Sequence, residues 1–130
     1  MRNNDGRNTI TLEWALRTDP MELAQVLLRQ FQVEIPPYIE TADELNEAQS
    51  VISRSVSNYA FLDSMAQMIK MTKRVRKREG ADKKEIEDLL SKEEIFSRLA
   101  DQCKTAYQAT SRLVTVRQLV LEELHMSDPY

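Results

Sequence analysis

Apolar residues recur at alternating steps of three and four along two long stretches of the chain, which is the spacing of one face of an α-helix. The first series consists of Leu45, Ala48, Ile52, Ser55, Tyr59, Leu62, Ala66 and Ile69, and it extends over about three and a half heptads. The second series consists of Phe96, Leu99, Cys103, Ala106, Thr110, Leu113, Val120 and Leu124. Both series predict long helices.

Capping signals set the predicted ends of these helices. Residues 41–44 (Thr-Ala-Asp-Glu) form a capping box at the start of a helix over 42–79, which ends at the glycine that follows. A second box, at 91–94, precedes the last helix. The residues between, 82–90, are predicted either as a short separate helix or as the first turns of the last one. Because the connection is short, the two long helices are expected to run antiparallel as a hairpin.

The region before the hairpin is predicted to contain two shorter helices. Asp19 and Pro20 provide an N-cap and a first helical residue for a helix that reaches about Gln32. The apolar residues at 10, 12, 14 and 16 alternate like a strand, but residues 11–17 also suit a short helix, and we choose helix because no second strand exists to pair with them. The prediction is therefore a single all-α domain, with an N-terminal arm and short helices over 1–40 and a long helical hairpin over 41–130.

The hairpin carries more apolar surface than two helices can cover. Phe61, Met65 and Met68 lie beside the apolar series of the first long helix, and Val116 and Leu119 lie beside that of the last helix. Either the N-terminal helices pack across this surface, or it faces another chain. We expect a bundle completed by oligomerisation, with a homo-oligomer or another protein as partner and with Phe61, Met65 or Met68 at the interface.

Composition excludes several classes of chemistry. Two glycines in 130 residues cannot build a glycine-rich phosphate loop. The chain has one cysteine, Cys103, and one histidine, His125, which are too few for a structural zinc site and too far apart on one helix for a catalytic dyad. We therefore expect no metal, no cofactor, no catalytic residues and no enzyme activity. A lone cysteine and a polar N-terminus without a signal sequence predict a cytoplasmic protein without a membrane segment, or one in a host cell interior or virion if the chain is viral.

A cluster of cations lies near the end of the first long helix. Lys70, Lys73, Arg74 and Lys77 share one helical face, while apolar side chains lie around the other. Such a cluster could bind a polyanion, and single-stranded nucleic acid in particular, through salt-dependent contacts to phosphates. The alternative is structural, because cations favour a helix C-terminus and the acid-rich residues 79–94 could neutralise them.

Arg117 interrupts the apolar series of the last helix. If the hairpin closes between Glu79 and Lys92, Arg117 lies opposite Ser55 and close to Asn58. We therefore predict a polar layer of Arg117, Ser55 and Asn58 that fixes the register of the hairpin, as single buried polar residues do in coiled coils.

These features favour a non-catalytic helical module for assembly or adaptor functions, acting through protein–protein contacts. The alternative is an oligomeric nucleic-acid-associated accessory protein that uses the basic helix end. In size and predicted helix plan the chain resembles the small helical recombination mediators of phages, and this resemblance implies the second interpretation.

Overall fold

Four α-helices follow one another in the computed structural model: α1 (Leu12–Arg17), α2 (Pro20–Phe31), α3 (Ala42–Arg78) and α4 (Lys83–Ser127). The structure describes residues 10–32 and 34–127, and for residues 125–127 it describes the backbone alone. All regular secondary structure in these ranges is helical, which confirms the all-α prediction. None of the described helices is long and apolar enough to cross a bilayer.

The helices begin where capping side chains are available. The Asp19 carboxylate accepts hydrogen bonds from the backbone N–H groups of Met21 and Glu22, at 3.1 and 3.4 Å, and Pro20 is the first residue of α2. The Thr11 hydroxyl accepts from the N–H of Trp14 at 3.1 Å, so the first short segment is a helix, as predicted. These caps satisfy N–H groups that a helix start leaves without partners.

The predicted capping box of α3 is also present. Thr41 Oγ accepts from the N–H of Glu44 at 3.1 Å, and the Glu44 carboxylate accepts from the N–H of Thr41 at 3.0 Å and of Glu40 at 2.8 Å. These backbone donors stabilise the charged carboxylate, so they lower the pKa of Glu44. At the other end of α3, Gly80 has a φ of 86°, a left-handed conformation that glycine adopts without steric cost.

The second predicted capping box is wrong as a helix start. Helix α4 already begins at Lys83, where the Asp82 carboxylate accepts from the N–H of Glu85 at 2.9 Å. Residues 91–94 lie inside α4, because no glycine or proline follows Gly80 within the helix to interrupt it. Residues 83–90 are therefore the first turns of the last helix, one of the two predicted alternatives.

Helices α3 and α4 pack along their lengths as the predicted antiparallel hairpin. Lys73 pairs with Glu93, and the rings of Tyr59 and Tyr107 contact each other edge to face at 6.1 Å. These pairs set a register in which the hairpin closes at 80–82. The sequence-based register centred the turn midway between Glu79 and Lys92, near residue 85, and it is wrong because residues 83–90 belong to α4.

The core lies where α1 and α2 pack across the hairpin. Leu23, Leu27 and Phe31 of α2 are buried, and the Phe31 ring stacks on Phe61 of α3 at 5.7 Å. The buried hairpin residues of this cluster are Leu62, Met65, Ala66, Ile69, Leu89, Phe96, Leu99, Ala100 and Cys103. We call residues 59–76 of α3 and 85–103 of α4 the covered part of the hairpin. Residues 42–51 and 113–124 form its open end.

A buried lysine connects α1 to the covered part. Lys92 is 5% exposed, and its Nζ donates a hydrogen bond to the backbone oxygen of Leu16 at 2.8 Å. Leu16 lies in the last turn of α1, where the helix dipole places partial negative charge that favours a cation. Burial disfavours the charged ammonium and lowers the pKa of Lys92. Lys92 therefore holds the end of α1 through this hydrogen bond, although its ammonium group loses most of its contact with water.

Candidate protein interface

The open end of α4 exposes a run of large apolar side chains. Val116, Leu119 and Leu124 are 56%, 58% and 62% exposed, and Val120 and Leu121 are also exposed. Earlier in the same helix, in the covered part, Leu99 and Cys103 are buried. The open end of α4 therefore presents apolar side chains that the rest of the described chain leaves exposed.

The position of these residues around α4 explains most of this exposure. Leu119 follows Leu99 by 20 residues, so at about 100° per residue the two side chains lie about 160° apart around the helix axis, with Leu119 on the side away from the core. Helix α3 runs alongside this stretch, since Leu45 lines a groove with Arg117 and Leu121. It begins at Ala42, so no earlier turn of α3 exists to cover Leu124.

The predicted polar layer of Arg117, Ser55 and Asn58 does not form. Arg117 is half-buried, and its guanidinium donates to the backbone oxygen of Glu40 at 2.9 Å. It lines a groove with Leu45 and Leu121, near the start of α3 rather than at Ser55. The reason is the register: the hairpin closes earlier along α4 than the prediction assumed, so Arg117 faces an earlier turn of α3.

Ser55 is fully buried, and its hydroxyl has no hydrogen-bond partner among the described residues. The Tyr59–Tyr107 contact lies one turn closer to the hairpin tip, which puts Ser55 at the level of Thr110 on α4. Thr110 is also fully buried, but its hydroxyl donates to the backbone oxygen of Ala106 at 2.7 Å. The two buried polar residues at this level are therefore Ser55 and Thr110, and the Ser55 hydroxyl is unsatisfied.

The three residues predicted at an interface lie in different environments. Met65 is 2% exposed, and Phe61 is half-buried against Phe31 of α2. Met68 is 37% exposed. The N-terminal helices of the same chain thus cover the surface around Phe61 and Met65, which was the first of the two predicted alternatives. Of the three, Met68 is left for contact with another molecule.

The cations near the tip of the hairpin are partly neutralised within the chain. Lys73 Nζ lies 2.7 Å from a carboxylate oxygen of Glu93, and both side chains are about four-fifths buried. Arg76 binds both carboxylate oxygens of Glu85 and also pairs with Glu79. These carboxylates raise the pKa of Arg76, and the guanidinium lowers the pKa of Glu85. The predicted neutralisation by residues 79–94 is therefore present at Lys73.

The other three cations of the predicted polyanion site make no ion pair among the described residues. Lys70 is half-buried, whereas Arg74 and Lys77 are exposed. Met71 and Val75, 63% and 47% exposed, lie beside them. The end of α3 therefore presents a mixed basic and apolar surface.

Cys103 does not have the environment of a reactive thiol. It is 3% exposed within the core, and burial raises the pKa of the thiol. A nucleophilic cysteine needs the opposite shift, because the thiolate is the reactive form. In the described part of the chain, no group of three or more histidine, cysteine or acidic side chains could hold a metal ion.

Lys92 is the residue whose role the sequence analysis missed. It had been included in a capping box, whereas it lies in the buried face of α4. Its spacing of three from Leu89 and four from Phe96 was the available signal, since this spacing places Lys92 in the apolar series.

Comparison with known proteins identifies no relative. No protein-family model matches the sequence, and no curated protein or solved structure matches the chain.

Proposed function

We propose that this chain is a non-catalytic helical assembly module that acts through protein–protein contacts, with the open end of α4 as its contact surface. The observation that carries the proposal is the exposure of Val116, Leu119 and Leu124 on one stretch of helix. Contiguous exposed apolar side chains are costly in water and mark sites of interaction. Burial of Cys103 supports a function without nucleophilic chemistry.

Site-specific photocrosslinking in cells that naturally produce the chain tests this proposal. A photoreactive phenylalanine analogue replaces Leu119, and in a matched control it replaces Gln118, which is exposed about 100° around the axis of α4 from Leu119. We expect a specific crosslinked protein, identified by mass spectrometry, at position 119 and not at position 118. Equal crosslinking at the two positions, or none at either, would refute the proposal.

A second candidate function is sequence-independent polyanion binding at the basic end of α3. The exposed, unpaired cations Arg74 and Lys77 favour it, whereas the ion pair between Lys73 and Glu93 makes Lys73 a poorer phosphate ligand. Fluorescence anisotropy with a labelled single-stranded oligonucleotide tests this function at low and high salt. Affinity should fall steeply with salt, and Arg74→Glu with Lys77→Glu should remove most of it. Unchanged affinity in this double variant would exclude the site.

A further inference from the structure

Four exposed side chains of the open end form a single stripe along α4. Arg112, Val116, Leu119 and Glu123 follow one another at steps of four, three and four. At about 100° per residue, these positions lie within about 60° of one another around the helix axis. Val116 and Leu119 are 56% and 58% exposed, and Arg112 and Glu123 are exposed at the two ends of the stripe.

The stripe is complementary to itself when it is reversed. Its midpoint lies between residues 117 and 118, so a twofold axis there places Arg112 of one copy against Glu123 of a second copy. The same axis places Val116 against Leu119. A parallel arrangement would instead bring two arginines together at one end and two glutamates together at the other, which is unfavourable. The order of charges therefore selects the antiparallel arrangement.

We infer that the open end of α4 binds a second copy of this chain, with the two α4 helices antiparallel and two Arg112–Glu123 pairs flanking a contact of Val116 and Leu119. The inference rests on the proposed function, because it names the partner of the same surface. This contact uses the same patch on both copies, so it closes as a dimer and does not propagate into a fibre. Charged pairs that flank an apolar seam set orientation in the same way in coiled coils.

The ion pairs elsewhere in the chain support the choice of partner. Within the described residues, Arg112 and Glu123 make no ion pair, whereas Lys73 and Arg76 of the covered part both do. A second copy supplies the missing opposite charge at both ends of the stripe at once. The stripe is only about 17 Å long, and interfaces below about 1,200 Å² are usually transient. We therefore expect an equilibrium between monomer and dimer that depends on concentration.

Sedimentation velocity over a wide range of protein concentration tests the inference with three charge variants of the full chain. Arg112→Glu alone and Glu123→Arg alone each place like charges together at both ends of a dimer. Each should raise the dimer dissociation constant about tenfold or more. The double variant Arg112→Glu/Glu123→Arg should restore the dimer. An equimolar mixture of the two single variants should also associate, because every facing pair in a mixed dimer is again Arg with Glu.

Lys104→Glu is the matched control, because it makes the same change of charge at an exposed position of α4 outside the stripe. It should leave the dissociation constant unchanged, and circular dichroism should show the same helix content in all variants. The inference is overturned if the wild-type chain stays monomeric. It is also overturned if each single variant associates like the wild type, or if neither the double variant nor the mixture recovers the dimer.

These outcomes separate the inference from the proposed function. A monomeric wild type that still crosslinks to a different protein through position 119 would retain the assembly function and exclude the second copy as partner. A chain that neither self-associates nor crosslinks at position 119 would refute both.

Discussion

Similar apolar side chains of α4 are buried in the covered part of the hairpin and exposed at its open end. In the covered part Leu99 is 6% exposed, while at the open end Leu119 is 58% exposed. The helix is continuous between them, and their spacing of 20 residues puts the two side chains about 160° apart around its axis. Leu99 faces the core and lines a cavity with Phe31 of α2, whereas Leu119 lies on the side of α4 away from the core. An apolar face along a helix therefore predicts contact with something, but not whether that partner belongs to the same molecule.

The largest expected effect comes from removing the same side chain in the two environments. Leu99→Ala should reduce the free energy of unfolding by about 2–5 kcal/mol, because it leaves a cavity in the core. Leu119→Ala should change it by no more than about 0.5 kcal/mol in the monomer. Urea unfolding at low protein concentration measures both values. Similar losses for the two variants would mean that the open end is covered within the chain.

The capping residues give a second comparison of the two regions. Asp19→Ala removes the N-cap of α2, which carries Leu23 and Leu27 into the core, and should cost about 1 kcal/mol. Thr41→Ala removes the N-cap of α3 at the open end, where the first turn can fray without uncovering a core. Thermal unfolding should therefore show a smaller loss for Thr41→Ala. A larger loss for that variant would mean that the start of α3 is more strongly packed than its exposure indicates.

Ser55 lies between the two regions, and its substitution should increase the free energy of unfolding where the substitutions above decrease it. Its buried hydroxyl is unsatisfied, so Ser55→Ala should increase the free energy of unfolding by about 1 kcal/mol. Ser53→Ala, at an exposed position of the same helix, makes the same gain in helix propensity and serves as the control. Chemical unfolding should show that Ser55→Ala is the more stable variant. A loss of stability in Ser55→Ala would indicate that the hydroxyl is hydrogen-bonded in solution.

The smallest expected effect depends on pH and concerns Lys92. Burial lowers its pKa below the ordinary value of 10.5, so between the two values the unfolded chain binds more protons than the folded one. Stability must then rise with pH through that interval, which ends near pH 10.5. Compared with Lys92→Met, the wild type should gain free energy of unfolding as the pH rises towards 10.5. No difference between the two pH profiles would show that the ammonium is fully hydrated.

Local signals in the sequence predicted most helix ends. Thr41 and Asp19 cap α3 and α2 as expected, because a cap depends on neighbouring side chains and a few backbone groups. The box at Ser91 had the same local pattern and is not a cap, since a helix already under way satisfies the N–H groups that a cap would bind. The cap of α4 is instead Asp82, which accepts a hydrogen bond from the N–H of Glu85, so the helix has already begun before it reaches Ser91.

The candidate sites were harder to predict because they depend on the register of the hairpin and on which apolar side chains the N-terminal helices bury. Every facing pair in a hairpin depends on where the chain turns. Because the predicted turn was misplaced, Arg117 was expected at Ser55, whereas it binds the backbone oxygen of Glu40. Periodicity identified both Met65 and Leu119 as surplus apolar residues and could not tell which of them the N-terminal helices would cover. That distinction depends on where α1 and α2 pack against the hairpin.

The packing of α1 and α2 on residues of α4 has a consequence for synthesis of the chain. A ribosome completes both N-terminal helices before it reaches Phe96 and Leu99, the side chains against which they pack. Helices of 6 and 12 residues have little stability in water on their own, so they cannot persist at that stage. The core around Leu23, Leu27 and Phe31 is therefore incomplete until α4 has emerged as far as Cys103. The nascent chain must stay soluble for that interval with its N-terminal apolar residues exposed.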